Sequence, residues 1–335
     1  MPHILVAGKI HPSGLALLGA AQGITFQHVE AVDEASYTPL VAKADALVIR
    51  TQPLTAATIA AALRLRIVSR HGVGYDAVDL AALNARQIPL CIVGAVNAVS
   101  VAEHAMMLIL AAIKRLIRAD DAVRNPAHWL WRNRMESGEL AGKSLLIVGY
   151  GRTGQLLARM AAGFGMQIAA HDPHLPPLNW PPGAIRAENL MQALAQADVV
   201  SLHVPLAGKP LFGAAELAAM KPGAILINTA RGGVVDEAAL AAALRSGQIG
   251  AAGLDVLAEE PPRPDHPLLA LDQVIFTPHI AGVTAESAER MAVASVQNVL
   301  DFFAGRLDPA LVVNQGQIFK QGQIFNQGQI FNQGL

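Results

Sequence analysis

The sequence predicts an α/β protein built from two doubly wound parallel-sheet domains. Three observations point there. Short β-branched runs alternate with Ala/Leu-rich helical stretches along nearly the whole chain. A glycine-rich turn, Gly149-Tyr150-Gly151-Arg152-Thr153-Gly154, sits where one such run passes into a helical stretch. The 335 residues are 53% hydrophobic and 15% charged, which favours large folded cores over disorder.

The first series has strands expected at His3–Ala7, Ile24–Val29, Ala46–Ile49, Leu65–Ser69 and Leu90–Val93. Helical stretches such as Thr55–Leu63 and Val78–Arg86 separate them. Ser100-Val-Ala-Glu103 has capping-box spacing, so a long helix is expected from near Ser100 through the apolar run to Ile117. The segment "NPAHWLWRNRMESGEL" at 125–140 has no clear period and reads as a loop crossing between domains. A second series follows, with strands at Ser144–Val148, Gln167–Ala170, Val199–Val204, Ala224–Asn228, Gly250–Leu254 and Val274–Thr277. A last helix is expected over Thr284–Phe303. The pentapeptide Gln-Gly-Gln-Ile-Phe then recurs at 315–319, 321–325 and 327–331, too short a run for a solenoid and read as a disordered low-complexity tail.

Composition excludes several classes. A net charge of −1 leaves no basic footprint for nucleic acid. The most apolar helical stretch, Ala105–Ile113, is too short to span a bilayer, and the start "MPHILVAGKI" has neither a basic region nor a long apolar run. The single cysteine, Cys91, forms no internal disulfide and fits a reducing, cytoplasmic setting. No metal site is expected: His171 and His174 flank Pro173 in a loop and no cysteine supports them.

The turn at Gly149 carries the first functional argument. It follows the strand ending at Val148 and opens a helix, and Asp172 ends the next strand 18 residues after Gly154. Gly149 allows the tight turn, Gly151 lets backbone approach a pyrophosphate, and Gly154 permits close helix–strand packing. The helix N-terminus favours the anion. Asp172 suits two ribose hydroxyls and repels a 2′-phosphate, which favours NAD, although Arg152 could reach a phosphate.

Ligands of such sheets bind beyond the carboxyl ends of the strands. Asp172, Pro205, Arg231, Asp255 with Glu259-Glu260, and His279 all fall there, as does His71-Gly72-Val73-Gly74 in the first series. This set suits hydride chemistry, in which histidine handles the proton, a carboxylate fixes its tautomer, and arginine takes a substrate carboxylate. Each residue has a plain alternative. Arg231 could pair with Asp236 or Asp255, His279 could be a core histidine, and Glu259-Glu260 could be a solvated turn. Their joint placement favours a site.

At this point the chain resembles the D-isomer-specific 2-hydroxyacid dehydrogenases, most of all their phosphoglycerate dehydrogenase and hydroxypyruvate reductase branch. The motifs are "RHGVGYDAVD", "NAVSVAEH", "ELAGKSLLIVGYGRTG", "HDP", "LHVPL", "NTARGGVVDEAAL", "GLDVLAEEPP" and "TPHIAG". The resemblance implies a flavodoxin-like substrate domain over 1–98 plus 284–313, a Rossmann NAD-binding domain over 99–283, a cleft between them, and a tail over 314–335. It implies Arg231 as the substrate-binding arginine, His279 as acid/base and Glu260, directly before proline, as its partner. Candidate cofactor contacts are Gly149, Gly151, Arg152, Thr153, Gly154, Asp172, His203, Val204, Pro205, Thr229, Ala230 and Asp255. Candidate substrate contacts are Arg50, Val73, Gly74, Asn97, Arg132 and Arg231, with Arg50 and Arg132 placed to take a second anion such as phosphate or sulfonate. The family is usually dimeric through its inner domain, and the helix after Ser100 matches that element. No regulatory domain follows residue 313, so a short form is expected. The competing expectation is an NAD-sensing scaffold with little turnover. A sulfolactate-type dehydrogenase, or formate or phosphite oxidation, are rivals within the enzyme class.

Overall fold

The computed structural model describes residues 1–318. The chain divides into two compact units, one made of Met1–Asn97 together with the chain from Ala285 on, the other of Ala98–Thr284.

The first unit holds β1 (His3–Ala7), β2 (Thr25–Val29), β3 (Ala46–Ile49), β4 (Ile67–Arg70) and β5 (Leu90–Cys91) in the order β2-β1-β3-β4-β5, all parallel. Three helices, α1 (Pro12–Ala20), α2 (Ala56–Ala61) and α3 (Leu80–Ala85), connect them. Thr55 and Asp79 cap α2 and α3 by accepting the backbone N–H of Thr58 and Ala82. Along β1, Leu5 and Ala7 enter one core and Ile4 and Val6 the other, the alternation expected of a strand covered on both faces.

The second unit opens with α4 (Ala98–Ile113) and α5 (Leu116–Arg124). Its strands are β6 (Ser144–Val148), β7 (Gln167–His171), β8 (Ile185–Arg186), β9 (Val199–Leu202), β10 (Ala224–Asn228), β11 (Ile249–Leu254) and β12 (Val274–Phe276). They lie parallel in the order β12-β11-β10-β9-β6-β7-β8. The order reverses between β6 and β9, so the crevice beyond those two strands is the place where such sheets bind ligands. The connecting helices are α6 (Arg152–Gly163), α7 (Leu190–Leu194), α8 (Ala214–Ala219) and α9 (Glu237–Ser246). Leu146 and Val148 face one core, Leu145 and Ile147 the other. Each such side chain fully withdrawn from water contributes roughly 1.5–3 kcal/mol.

The chain's last long helix, α10 (Ala285–Phe303), returns to the first unit, where Ala292, Val296 and Val299 join the core beside Ile4 and Val6. Asn298 adds hydrogen bonds to Ser69 Oγ at 3.3 Å and Ile92 O at 3.1 Å.

Some expected boundaries move. The helix anticipated from Ser100 begins at Ala98, and Ser100 Oγ meets Thr284 Oγ1 at 3.2 Å rather than acting as a cap. The apolar run to Ile117 is not one helix, because Arg115 at φ 53° breaks it into α4 and α5. The aperiodic 125–140 stretch contains a 3-10 segment, Pro126–Arg134. Described structure also continues past residue 313. Asn314 is buried, its amide bridging Leu90 N, Asn84 Oδ1 and Ile88 O, and Gln315–Ile318 form a helical turn, α11. Most of the tail expected to be disordered, from residue 319 on, lies outside the described residues.

Candidate active site

In the second unit every strand runs the same way, so the residues that follow β6, β7, β9, β10, β11 and β12 share one edge of the sheet. At the reversal point, Gly149 takes φ 92°, and a Cβ there would stand 2.4 Å from His203 O. A Cβ on Gly154 would stand 2.4 Å from Gly149 O. Both positions therefore require glycine for packing within the protein. Gly151 is different: nothing lies within 4 Å of where its Cβ would be, and α6 begins there with no side-chain cap. Open space in front of uncapped helix N–H groups is what a pyrophosphate needs.

Asp172 stands at the end of β7, where Oδ2 accepts Tyr150 N at 2.9 Å and Oδ1 accepts His174 N at 3.1 Å. The carboxylate is thus fixed beside the glycine turn. His203 and Val204 follow β9 with Pro205, and Ser201 Oγ holds His203 Nε2 at 2.9 Å. Thr229 follows β10, and its buried Oγ1 has no hydrogen-bond partner among the described residues. The open Gly151 face, the uncapped helix and this orphaned hydroxyl together fit a dinucleotide.

Arg231 leaves β10 through a turn folded by Asn228, which is 1% exposed. Asn228 Oδ1 accepts Ala230 N at 3.0 Å, and its Nδ2 donates to Arg231 O at 2.8 Å. Arg231 Nη1 donates to Ala230 O at 2.6 Å. Asp236 is the N-cap of α9, its Oδ1 accepting both Ala238 N and Ala239 N at 3.0 Å.

Glu260 and His279 meet. His279 Nδ1 lies 2.7 Å from Glu260 Oε2, and Glu260 Oε1 accepts Leu257 N at 2.9 Å. The two side chains are 53% and 37% exposed, so His279 is no core histidine and its ring is open on one side. Glu259 points elsewhere, toward Arg263 at 3.9 Å.

Asp255 takes a place the sequence did not reveal. It is 2% exposed, and its oxygens are occupied by protein donors. Oδ1 accepts Thr277 Oγ1 at 2.6 Å and Ile280 N at 2.9 Å, and Oδ2 accepts Ala281 N at 2.9 Å. His104, on α4, reaches the same group, with Nε2 2.8 Å from Thr277 Oγ1 and 3.5 Å from Asp255 Oδ1. Burial lowers the pKa of His104, against the opposing pull of Asp255. A second unforeseen pair steadies the Glu260 segment: Glu237 Oε1 accepts Ala258 N at 2.7 Å while Oε2 meets His266 Nε2 at 3.0 Å. The available signal was a histidine on an otherwise apolar helix face, and a glutamate directly after an N-cap aspartate.

In the first unit, Arg50 follows β3 beside the strand-order reversal, with Nη1 donating to Lys9 O at 3.2 Å. Val73 and Gly74 follow β4, Val73 being 38% exposed, and Asn97 closes the unit's first segment. His71, two residues before Val73, is 6% exposed, and neither ring nitrogen has a hydrogen-bond partner among the described residues. Burial, reinforced by Arg50 and Arg70, lowers its pKa to about 4. Arg132 belongs to the 3-10 segment, its guanidinium 5.8 Å from the Trp129 ring centre. Among the described residues no group of three or more metal-ligating side chains occurs, and no helix is long and apolar enough to cross a membrane.

A parallel sheet with this strand order and a glycine turn at its reversal are the marks of a dinucleotide-binding fold, with an Arg, Glu, His set along the same edge. The chain belongs to the D-isomer specific 2-hydroxyacid dehydrogenase family, whose NAD-binding domain matches residues 106–281. D-3-phosphoglycerate dehydrogenase of Mycobacterium leprae is 39% identical over 322 residues, covering 95% of this chain and 60% of that protein. Glyoxylate reductase of Korarchaeum cryptofilum is 40% identical over 285 residues, covering 80% of this chain and 82% of that one. Among solved structures, D-lactate dehydrogenase of Aquifex aeolicus, complexed with NAD and lactic acid, superposes with a TM-score of 0.82 at 28% identity, over 92% of this chain and 98% of that one. The chain spans about 50–60% of the length of the phosphoglycerate dehydrogenases it matches.

Proposed function

We propose that the protein interconverts an (R)-2-hydroxy acid and its 2-keto acid with NAD(H). The observation that carries this reading is the 2.7 Å contact between His279 and Glu260, on the same sheet edge as Arg231 and the phosphate turn. When bound, NADH supplies the hydride. With Nδ1 held by Glu260, His279 presents Nε2 to the substrate oxygen, giving a proton during reduction and taking it during oxidation. Glu260 fixes the tautomer and is itself fixed by Leu257 N. Arg231 takes the substrate carboxylate and polarises the carbonyl. Gly151, Arg152, Thr153 and the Thr229 hydroxyl hold the dinucleotide, and Asp172 holds its ribose.

Arg50, Val73, Gly74, Asn97 and Arg132 are the proposed further substrate contacts. The substrate is of the phosphoglycerate or of the hydroxypyruvate and glyoxylate type, the two classes for which the similar proteins are named. The working protein is proposed to be a cytoplasmic homodimer. An open groove of about 620 Å³ lined by Met106, Met107, Leu110, Leu116, Met160 and Phe164 supports pairing through α4.

The test is NADH oxidation by the purified protein against phosphohydroxypyruvate, hydroxypyruvate, glyoxylate, pyruvate and sulfopyruvate. Turnover of at least one is expected. Intact NADH binding with no turnover of any would replace this reading with an NAD-sensing scaffold.

A further inference from the structure

Resting on the dehydrogenase reading, we propose that His104 is a positioning residue for His279: through Thr277 and Asp255 it holds the turn that presents the acid/base imidazole. His104 lies on α4 with a side chain only 13% exposed, and it touches no candidate reacting group. Its link to His279 is a line of hydrogen bonds that runs from α4 to the ends of β12 and β11.

The direction of each bond follows from proton counting. Thr277 Oγ1 gives its single proton to Asp255 Oδ1 at 2.6 Å. It can therefore only accept from His104, 2.8 Å away, so His104 carries its proton on Nε2. Burial favours the uncharged ring, which makes it the neutral Nε2–H tautomer. The Thr277 rotor is fixed as a result, and with it the Asp255 carboxylate.

Asp255 in turn anchors the turn at His279. Its main-chain oxygen accepts His279 N at 2.8 Å, Oδ1 accepts Ile280 N and Oδ2 accepts Ala281 N, both at 2.9 Å. The amides of three successive residues thus end on one buried aspartate. His279 sits at φ 53°, a conformation that costs a non-glycine residue about 1–2 kcal/mol and persists only where its surroundings enforce it. Removing the outermost donor loosens the carboxylate, and so the turn. The plain alternative is that His104 only fills space on α4, in which case an apolar side chain of similar size would serve as well.

The experiment uses the full chain with His104→Leu, His104→Gln, Thr277→Val and the His104→Leu/Thr277→Val double variant. Glutamine places an N–H donor near the Nε2 position, whereas leucine keeps bulk without a donor. Two readouts are taken: kcat and KM for keto-acid reduction with the NADH Kd, and amide hydrogen exchange over 277–281 without substrate. His104→Leu should lower kcat by about 10- to 100-fold, because a catalytic group displaced by about 1 Å loses that much. KM and the NADH Kd should stay within about twofold, since the lost interaction serves the transition state. His104→Gln should recover most of kcat and normal exchange. The double variant should be no worse than Thr277→Val alone, because the two residues act in one line.

Wild-type kcat in His104→Leu, equal losses in the Leu and Gln variants, or additive losses in the double variant would overturn the proposal. Should His104→Leu fail to fold, Thr277→Val against Thr277→Ser makes the same comparison. Failure of the wild type to reduce any keto acid would sink the dehydrogenase reading alone. The exchange pattern would then decide whether His104 holds the turn.

Discussion

Gly232 packs against Leu257 so closely that a Cβ on Gly232 would stand 2.0 Å from the Leu257 carbonyl carbon and oxygen. This contact ties the segment after Arg231 to the segment that leads to Glu260. It also explains the glycine directly behind the arginine: the two backbones could not otherwise lie side by side.

Gly232→Ala should therefore separate the two segments. A drop in kcat/KM of about 10- to 100-fold is expected from a shift near 1 Å, together with a stability loss of roughly 1–3 kcal/mol from overpacking. Gly163→Ala is the control, since nothing lies within 4 Å of a Cβ there. Steady-state kinetics and denaturant melts on both variants check this. Equal behaviour of the two would refute the role given to Gly232.

Asp172 is expected to set cofactor choice. Its carboxylate is pinned by Tyr150 N and His174 N at the end of β7, where a 2′-phosphate would meet it. Asp172→Ala should shift the NADH to NADPH ratio of kcat/KM toward NADPH by about tenfold or more, corresponding to about 1.4 kcal/mol. An unchanged ratio would show that the ribose is held elsewhere.

His71 should make the protein sensitive to mild acid. Its pKa falls from 6.5 in the exposed chain to about 4 in the fold, because burial and the neighbouring arginines oppose the charge. Between those values the unfolded chain binds the extra proton and the fold does not, so stability falls as pH drops from 6.5 toward 4. The loss from this group is on the order of 3 kcal/mol. His71→Phe should remove that part of the acid limb in chemical denaturation measured across this window. An unaltered acid limb would show that the ring does not stay neutral.

Arg50 bears on substrate size. If it takes a second anion, Arg50→Ala should raise KM for a phosphorylated keto acid by about tenfold or more while changing KM for an unphosphorylated one little, as expected for a lost charge-assisted contact. Equal effects on the two substrates would remove that role.

How far the sequence could be read depends on the kind of interaction. The sheets were legible because parallel strands covered on both faces appear as continuous apolar runs, as in Ala46–Ile49, where every residue is buried. Gly149 and Gly154 were legible because a tight turn and a close helix–strand contact each need glycine at a fixed spacing from a strand end, and the same spacing put Asp172 beside that turn. The Glu260–His279 pair was anticipated through the resemblance, and spacing alone left His279 open to a core role. What stayed hidden were long-range polar contacts. Asp255 anchors the amides of Ile280 and Ala281, 25 and 26 residues away, and His104 reaches Thr277 across 173 residues. No periodicity encodes such distances. The two-residue strand β8 was missed for lack of length, and the end of α4 was misplaced because Arg115 enters the left-handed region without a glycine to announce it.

The claim on which the whole account turns is that His279 moves the proton. The most direct measurement is keto-acid reduction and hydroxy-acid oxidation by the wild type and His279→Gln, with deuterated NADH establishing that hydride transfer limits the rate. His279→Gln should lower kcat by about 10²–10⁴-fold in both directions while the NADH Kd stays unchanged. A His279→Gln enzyme retaining wild-type kcat in either direction would contradict it.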